Sequence, residues 1–393
     1  MSVKYIKDEG EAISTANEIA ALFATGASYR DSKRALPHDE IKAFSESGLG
    51  AITVPREYGG IGVSNETLIK VISIIAAADS SLAQIPQSHF VLLDGLRTIG
   101  TDYQKDFFFR EVLNGKRIGN AFSEAGGKNV LDISTRLENT EQGLLLTGIK
   151  AYATGALYAD WVPISALDDD NKLVYAYIPR NAPGLTIIDD WSGIGQRTTA
   201  SGKVVADKIR VAPENIVRRD KAFATPSFAG PFSQLLHAAI DLGIAKGAFE
   251  LAVRIVREIA RPWIDSGSER ADADPHSLNI IGDLQIRLNA AEALVLNAAR
   301  YLDTHSGTPT AEEVADASIH VAEARVLADD IALTASSRLF ELGGTRTALS
   351  EKGFDRFWRD ARTHTLHDPI RWKRHIIGNK TVTGKTPSLH VWI

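Results

Sequence analysis

The sequence predicts an α+β protein built in three successive parts. These are an N-terminal helical domain (residues 1–115), a central antiparallel β-barrel or sandwich (116–228) and a C-terminal helical bundle (229–393). Three observations predict it. Before Gly115, apolar residues recur at three- and four-residue spacings, the period of an amphipathic helix. From there the pattern changes to short β-prone runs separated by Gly, Asp and Asn. After Pro231 the helical period returns in three long, Ala-rich stretches, the pattern of a bundle.

Taken in order, helices are expected over 12–25, 37–47, 65–78, 81–99 and 103–113. Ser64 and Asn65 suit an N-cap, Pro37 suits a first helical turn, and the run Pro55 to Gly60 reads as a turn. Strands are expected over 117–123, 133–138, 144–153, 161–167, 173–178 and 203–209. Asn139 to Gly143 closes a hairpin, and Asp168 to Asn171 is a second turn. Long helices follow over 234–263, 278–304 and 310–342, with a shorter one near 350–359. The polar stretch Ser266 to Pro275 reads either as a mobile lid or as a solvated connection.

Composition narrows the function. The chain of 393 residues is 44% hydrophobic and 24% charged, ordinary for a globular enzyme. A net charge of -5 and a pI near 6.1 give no support for nucleic-acid binding. The absence of cysteine excludes disulfides, a thiol nucleophile, thiolate zinc sites and a cysteine-linked flavin. The N-terminus has no apolar signal core, and the longest apolar run, Val71 to Ala78, is too short to span a bilayer. A cytoplasmic protein with no membrane contact is expected.

Several motifs occur in a telling order. They are Pro55-Arg56-Glu57-Tyr58-Gly59-Gly60, Ser123-Glu124-Ala125-Gly126-Gly127, Gly148-Ile149-Lys150 with the segment to Ala156, and Leu342-Gly343-Gly344. In these the chain resembles the acyl-CoA dehydrogenase superfamily over nearly its whole length. The resemblance implies that fold, with a four-helix bundle at the C-terminus. In that family a glutamate near the C-terminus removes the substrate's α-proton. Here the matching run is Arg362-Thr363-His364-Thr365-Leu366-His367-Asp368-Pro369. This run, with Asp190 to Arg197, Ser201-Gly202, Arg261-Pro262-Trp263 and the ending Lys385 to Ile393, is similar to a monooxygenase branch. That branch includes dibenzothiophene monooxygenases and sulfur-acquisition oxidoreductases.

What the branch implies is a two-component monooxygenase. It takes reduced FMN from a separate NAD(P)H-dependent flavin reductase, and FAD is the alternative cofactor. Dioxygen adds to the flavin as a C4a-hydroperoxyflavin, and a small organosulfur substrate is oxygenated. Imidazole titrates near neutrality and suits proton control there. His367 is the implied proton-handling group, with His364 in support. His89 and Thr154 are further catalytic candidates. For the cofactor, Arg257 and Arg346 are matched to phosphate contacts, as guanidinium geometry allows. Asn120 and Ser123 fit the isoalloxazine edge, and Tyr152 and Trp191 fit the pocket and ring. The family shares its phosphate site between subunits, so a homodimer or homotetramer is implied.

No Gly-x-Gly-x-x-Gly fingerprint or P-loop is present. Three other readings stand beside the monooxygenase. An FAD-dependent acyl-CoA dehydrogenase would use Asp368 as base, although Asp is a methylene shorter than Glu and Pro369 follows it. A non-haem iron site would need His364, His367 and Asp368 to converge, and no metal is expected. A catalytically dead scaffold would only bind a partner.

Overall fold

The computed structural model describes residues 3–220, 225–388 and 390. Of the C-terminal motif, residues 389 and 391–393 lie outside the described residues. The first part holds α1 (Glu9–Ala24), α2 (Ala27–Lys33), α3 (His38–Glu46), α4 (Asn65–Ala78), α5 (Ser80–Gln84), α6 (Gln87–Ile99) and α7 (Asp102–Leu113). Side chains set the boundaries. Ser64 Oγ accepts from Thr67 N–H at the start of α4 (3.2 Å), and Thr101 with Gln104 forms a capping box on α7. The single helix expected over 81–99 is two, because Pro86 has no N–H to continue the ladder. The short helix α2 was not visible in the apolar spacing.

The middle part is one seven-stranded sheet of order β5-β6-β2-β1-β3-β4-β7. Its strands are β1 (Arg136–Thr140), β2 (Gly143–Lys150), β3 (Trp161–Leu167), β4 (Leu173–Pro179), β5 (Leu185–Ile188), β6 (Lys203–Val211) and β7 (Ile216–Arg218). The β1–β2 hairpin turns as expected. β1 meets β3 in parallel through Arg136 and Leu167, so the sheet is mixed rather than purely antiparallel. The strand expected over 117–123 forms only two isolated bridges to β3. Its ladder is interrupted because Ile118 N–H is diverted to His89 and Phe122 C=O to the Ser165 hydroxyl.

The last part is a bundle of α8 (Ala229–Glu258), α9 (Pro275–Thr304) and α10 (Ala311–Gly343), closed by α11 (Asp355–His364) and α12 (Ile370–Thr383). α8 starts ahead of the expected position because Pro231 sits in its first turn, where no N–H is needed. It stops at Glu258, ahead of Pro262. α11 begins only after Gly353, whose φ of 60° breaks the preceding turn, and α12 follows Pro369 where the sequence showed no helix. The 266–275 connection is held by local bonds: Ser266 Oγ to Ser268 N–H, Arg270 to Asp272, and Asp274 capping α9.

One apolar core joins the first and last parts, and a second fills the sheet. α4 packs along α8, and Ile72, Ile75, Leu235 and Ala239 are all buried in their shared core. Each such side chain contributes about 1.5–3 kcal/mol on burial. Gly243 makes the close approach possible, since a Cβ there would lie 2.5 Å from that of Ala76. Among the described residues no helix is long and apolar enough to cross a membrane.

Candidate active site

Three elements converge on one region. The first wall comes from the β part. After β2 the chain turns sharply, with Tyr152 at φ 55°, and the facing loop has Gln196 at 45° and Ala200 at 48°. Left-handed backbone at non-glycine residues is uncommon and collects at functional sites. Hydroxyls tie the two segments together. Thr154 and Ser201 hydroxyls lie 2.7 Å apart, Ser201 is 2.7 Å from Thr199, and Thr199 donates to Gln196 C=O (3.0 Å). Trp191 also donates to Gln196 C=O and meets Tyr152 edge-on, with ring centroids 6.4 Å apart. Tyr152 is 59% exposed, so its ring faces open space beside Thr154. Ser123 C=O accepts from Ala151 N–H (2.9 Å), which sets Ser123 next to this wall with Asn120 half-buried on the same segment.

This wall is fastened to α11. Gln196 N–H donates to Asp360 (2.6 Å), and Ser80 Oγ donates to the other Asp360 oxygen (2.8 Å). The loop can reach the helix only because residue 195 is glycine; a Cβ would sit 2.0 Å from Arg359 C=O. Burial, with the nearby Asp31 charge, pushes the Asp360 carboxyl up to about 6. His364 lies one helical turn beyond Asp360, roughly 5.4 Å along the axis, on the same face.

The second wall is a buried cluster of charge and imidazole. His364 is 2% exposed, with Nδ1 on Asp241 (2.5 Å) and Nε2 on His237 Nδ1 (3.0 Å). His237 Nε2 meets Gln87 Nε2 at 3.3 Å. Arg325, fully buried, bridges Asp241 (2.5 Å) and Asp368 (3.2 Å), and Lys373 pairs with Asp368 (3.2 Å). His367 sits at the front, its side chain 42% exposed, with Nδ1 3.4 Å from Asp368 and its ring on His237. Burial, reinforced by the nearby imidazoles, holds His237 well below its ordinary pKa. Burial works against the Asp368 anion, yet the His367 hydrogen bond and the Arg325 and Lys373 charges hold its carboxyl well below the usual range.

These positions correct several expectations. Both nitrogens of His364 are occupied by protein partners, so it supports the site rather than touching a substrate. The same engagement prevents the His364, His367 and Asp368 convergence that an iron site needs. Asp368 is a weak base, tied up in two ion pairs. His89 stands apart from the imidazole cluster. It is 4% exposed, with Nε2–H on Gly50 C=O (2.8 Å) and Nδ1 accepting from Ile118 N–H (3.1 Å). Burial lowers its pKa to about 4, and both nitrogens are engaged by backbone groups. His89 instead borders a small, mostly apolar cavity lined by Phe44, Ile85, Ile118, Gly155 and Tyr158.

Arg257 and Arg346 meet elsewhere. Arg346 donates to Ile259 C=O (3.2 Å), two residues past Arg257, and both guanidinium groups are exposed. They sit at the far end of α8 from His237, a span of roughly 30 Å along the helix. Sequence reasoning missed His237, Asp241 and Arg325, which lie inside long Ala-rich helices with no motif around them. The one signal was charge on an otherwise apolar helical face, in the run Leu236-His237-Ala238-Ala239-Ile240-Asp241.

Residues 11–116 match the family model for the acyl-CoA dehydrogenase N-terminal domain, and residues 235–372 match the one for its C-terminal domain. A dibenzothiophene monooxygenase from Rhodococcus erythropolis is 33% identical, over 96% of this chain and 95% of its own. The chain belongs to the acyl-CoA dehydrogenase family. Within that family it is also 32% identical to the probable FMNH2-dependent monooxygenase SfnC of Pseudomonas putida, over 96% of each chain. The crystal structure of FMN-bound TdsC from Paenibacillus sp. A11-2 superposes with a TM-score of 0.92 at 32% identity, covering 97% of this chain and all of that one. The acyl-CoA dehydrogenase fold therefore accounts for the whole described architecture.

Proposed function

We propose that this protein is a reduced-flavin-dependent monooxygenase that oxygenates a small organosulfur compound. One observation carries the reading. At the position where a dehydrogenase of this family keeps its base, Asp368 is locked between Arg325 and Lys373, and the group left open is the His367 imidazole. The similarity to dibenzothiophene monooxygenase and to SfnC supports the reaction class and the sulfur substrate.

The residues present fit a flavin mononucleotide. Exposed Tyr152 and half-buried Trp191 offer an aromatic edge, Thr154 a hydroxyl, Asn120 and Ser123 polar contacts for the ring edge, and Arg257 with Arg346 a pair of guanidiniums for phosphate. Reduced FMN, when bound, supplies the electrons that activate dioxygen; the FMN-bound TdsC structure and the name of SfnC support this choice. His367 then holds or delivers the proton from Nε2, since Nδ1 faces Asp368. Thr154, held by Ser201, would offer its hydroxyl to the bound flavin.

One chain does not bring Arg257 and Arg346 within reach of a flavin that also touches His367. The phosphate site is therefore completed by a second copy, in a homodimer or homotetramer. A separate NAD(P)H:flavin reductase supplies the reduced cofactor, and the pair works in the cytoplasm. The test is turnover with FMN, NADH and a flavin reductase on dimethyl sulfone, methanesulfinate and dibenzothiophene. Oxygenated product from at least one of them supports the reading; acyl-CoA oxidation in their place overturns it.

A further inference from the structure

His367 is supported from two directions, and both supports end at one buried carboxylate. On one side its Nδ1 faces Asp368, which Arg325 ties to Asp241. On the other side its ring rests on His237, which His364 ties to Asp241. The two Asp241 oxygens are divided between the routes, Oδ2 to Arg325 and Oδ1 to His364. Asp241 is 0% exposed and lies on α8 one turn past His237.

With both rings neutral, the partners allow one arrangement of protons. Asp241 accepts from His364 Nδ1–H, so the neutral His364 ring offers Nε2 as an acceptor. His237 Nδ1–H donates to it, and His237 Nε2 is left to accept from the Gln87 amide. The Gln87 amide cannot be reversed, because the same Nε2 donates to Ser233 C=O (3.4 Å). The carboxylates of Asp241 and Asp368 pair with Arg325 and Lys373, while burial and the Asp241 charge push the neighbouring Asp329 carboxyl up to about 6. A further positive charge on His237 would sit in a dry interior close to Arg325. Burial opposes a proton on His237 as well.

We propose that Asp241 is the positioning residue for His367, acting at once through Arg325 and Asp368 on its Nδ1 and through His364 and His237 on its ring face. Both routes fix His367 with Nε2 turned outward. Asp241 touches neither substrate nor cofactor. The inference rests on the reading of His367 as the proton-handling group, but its structural content is independent of turnover.

The test is the tautomer state of the histidines in the full-length protein labelled with 15N-histidine, read from two-bond 1H–15N correlation spectra, in the wild type and in Asp241→Asn. The wild type should show His237 and His364 as Nδ1–H tautomers. In Asp241→Asn at least one of them should change tautomer, kcat should fall about 100-fold, and KM should stay within about threefold. Arg325→Met cuts only one route and should lower kcat less. A wild-type His364 in the Nε2–H form overturns the proposal. So does an Asp241→Asn protein that keeps both tautomers and its kcat, or one that loses only flavin affinity. Should Asp241→Asn not fold, the wild-type spectrum and the kcat of His237→Phe, which keeps a ring but no hydrogen bonds, decide in the same way. Correct tautomers in a protein without oxygenase activity would uphold the arrangement and remove the functional reading instead.

Discussion

The imidazole of His237 lies under that of His367, with centroids 4.0 Å apart and planes inclined by 35°. One ring is buried and the other is partly open to solvent. That division separates the chemistry from its support, because among the described residues only the outer ring has a nitrogen with no protein hydrogen-bond partner.

His367→Ala should therefore lower kcat by about 10²–10⁴-fold while leaving stability within about 1 kcal/mol. His364→Ala should do something different. It strands Asp241 and His237 in the interior and should cost roughly 2–4 kcal/mol. Urea unfolding midpoints beside turnover numbers separate the two; equal stability losses would mean that His367 is structural.

His89 should behave as a backbone clamp. His89→Leu leaves Gly50 C=O and Ile118 N–H unpaired and should destabilise the fold by roughly 2–4 kcal/mol. Its folded pKa of about 4 lies below the ordinary 6.5, so the fold prefers the neutral ring. The stability it contributes is present above pH 6.5 and is lost as pH falls toward 4. In His89→Leu that part of the acid-side loss should vanish from a pH series of urea melts.

Asp360 carries the opposite sign. Its folded value of about 6 exceeds the ordinary 3.8, so the folded state holds this proton more tightly. Its contribution is fully present below pH 3.8 and is lost as pH rises through 6. Asp360→Asn keeps an oxygen for Gln196 N–H and offers an amide to Ser80. It should be more stable than the parent at pH 8 and close to it at pH 4, measured by the same melts.

Arg257→Ala and Arg346→Ala should each weaken FMN binding by roughly 1.5–3 kcal/mol, with less salt dependence, and should leave folding intact because both side chains are exposed. If the phosphate site spans two copies, Arg346→Ala mixed with His367→Ala and reassembled should recover part of the activity that each lacks. Failure of mixed oligomers to recover any would place the whole site in one chain.

Much of this was legible in the sequence. The helix, sheet, helix order followed from apolar period, and the helix expected over 65–78 has those bounds in the structure, capped by the Ser64 side chain and ending at Asp79. The His-Thr-Leu-His-Asp-Pro run marked where the chemistry departs from a dehydrogenase. Missed elements were those whose structure is set by partners far along the chain. β5 and β7 are short edge strands, held only by β6 and β4. Asp241 and Arg325 meet across two helices 84 residues apart in sequence, and nothing local marks either. His89 shows the same limit: a buried imidazole that clamps two distant backbone groups looks, in sequence, like one that faces a substrate.

The central claim is tested most directly by the origin of the oxygen in the product. The enzyme would be supplied with FMN, NADH, a flavin reductase and 18O2, and the oxidised sulfur compound analysed by mass spectrometry. One 18O atom in each product molecule, lost in His367→Ala, is the predicted result. No 18O with any sulfur substrate, together with anaerobic bleaching of bound flavin by an acyl-CoA, would contradict it and restore a dehydrogenase.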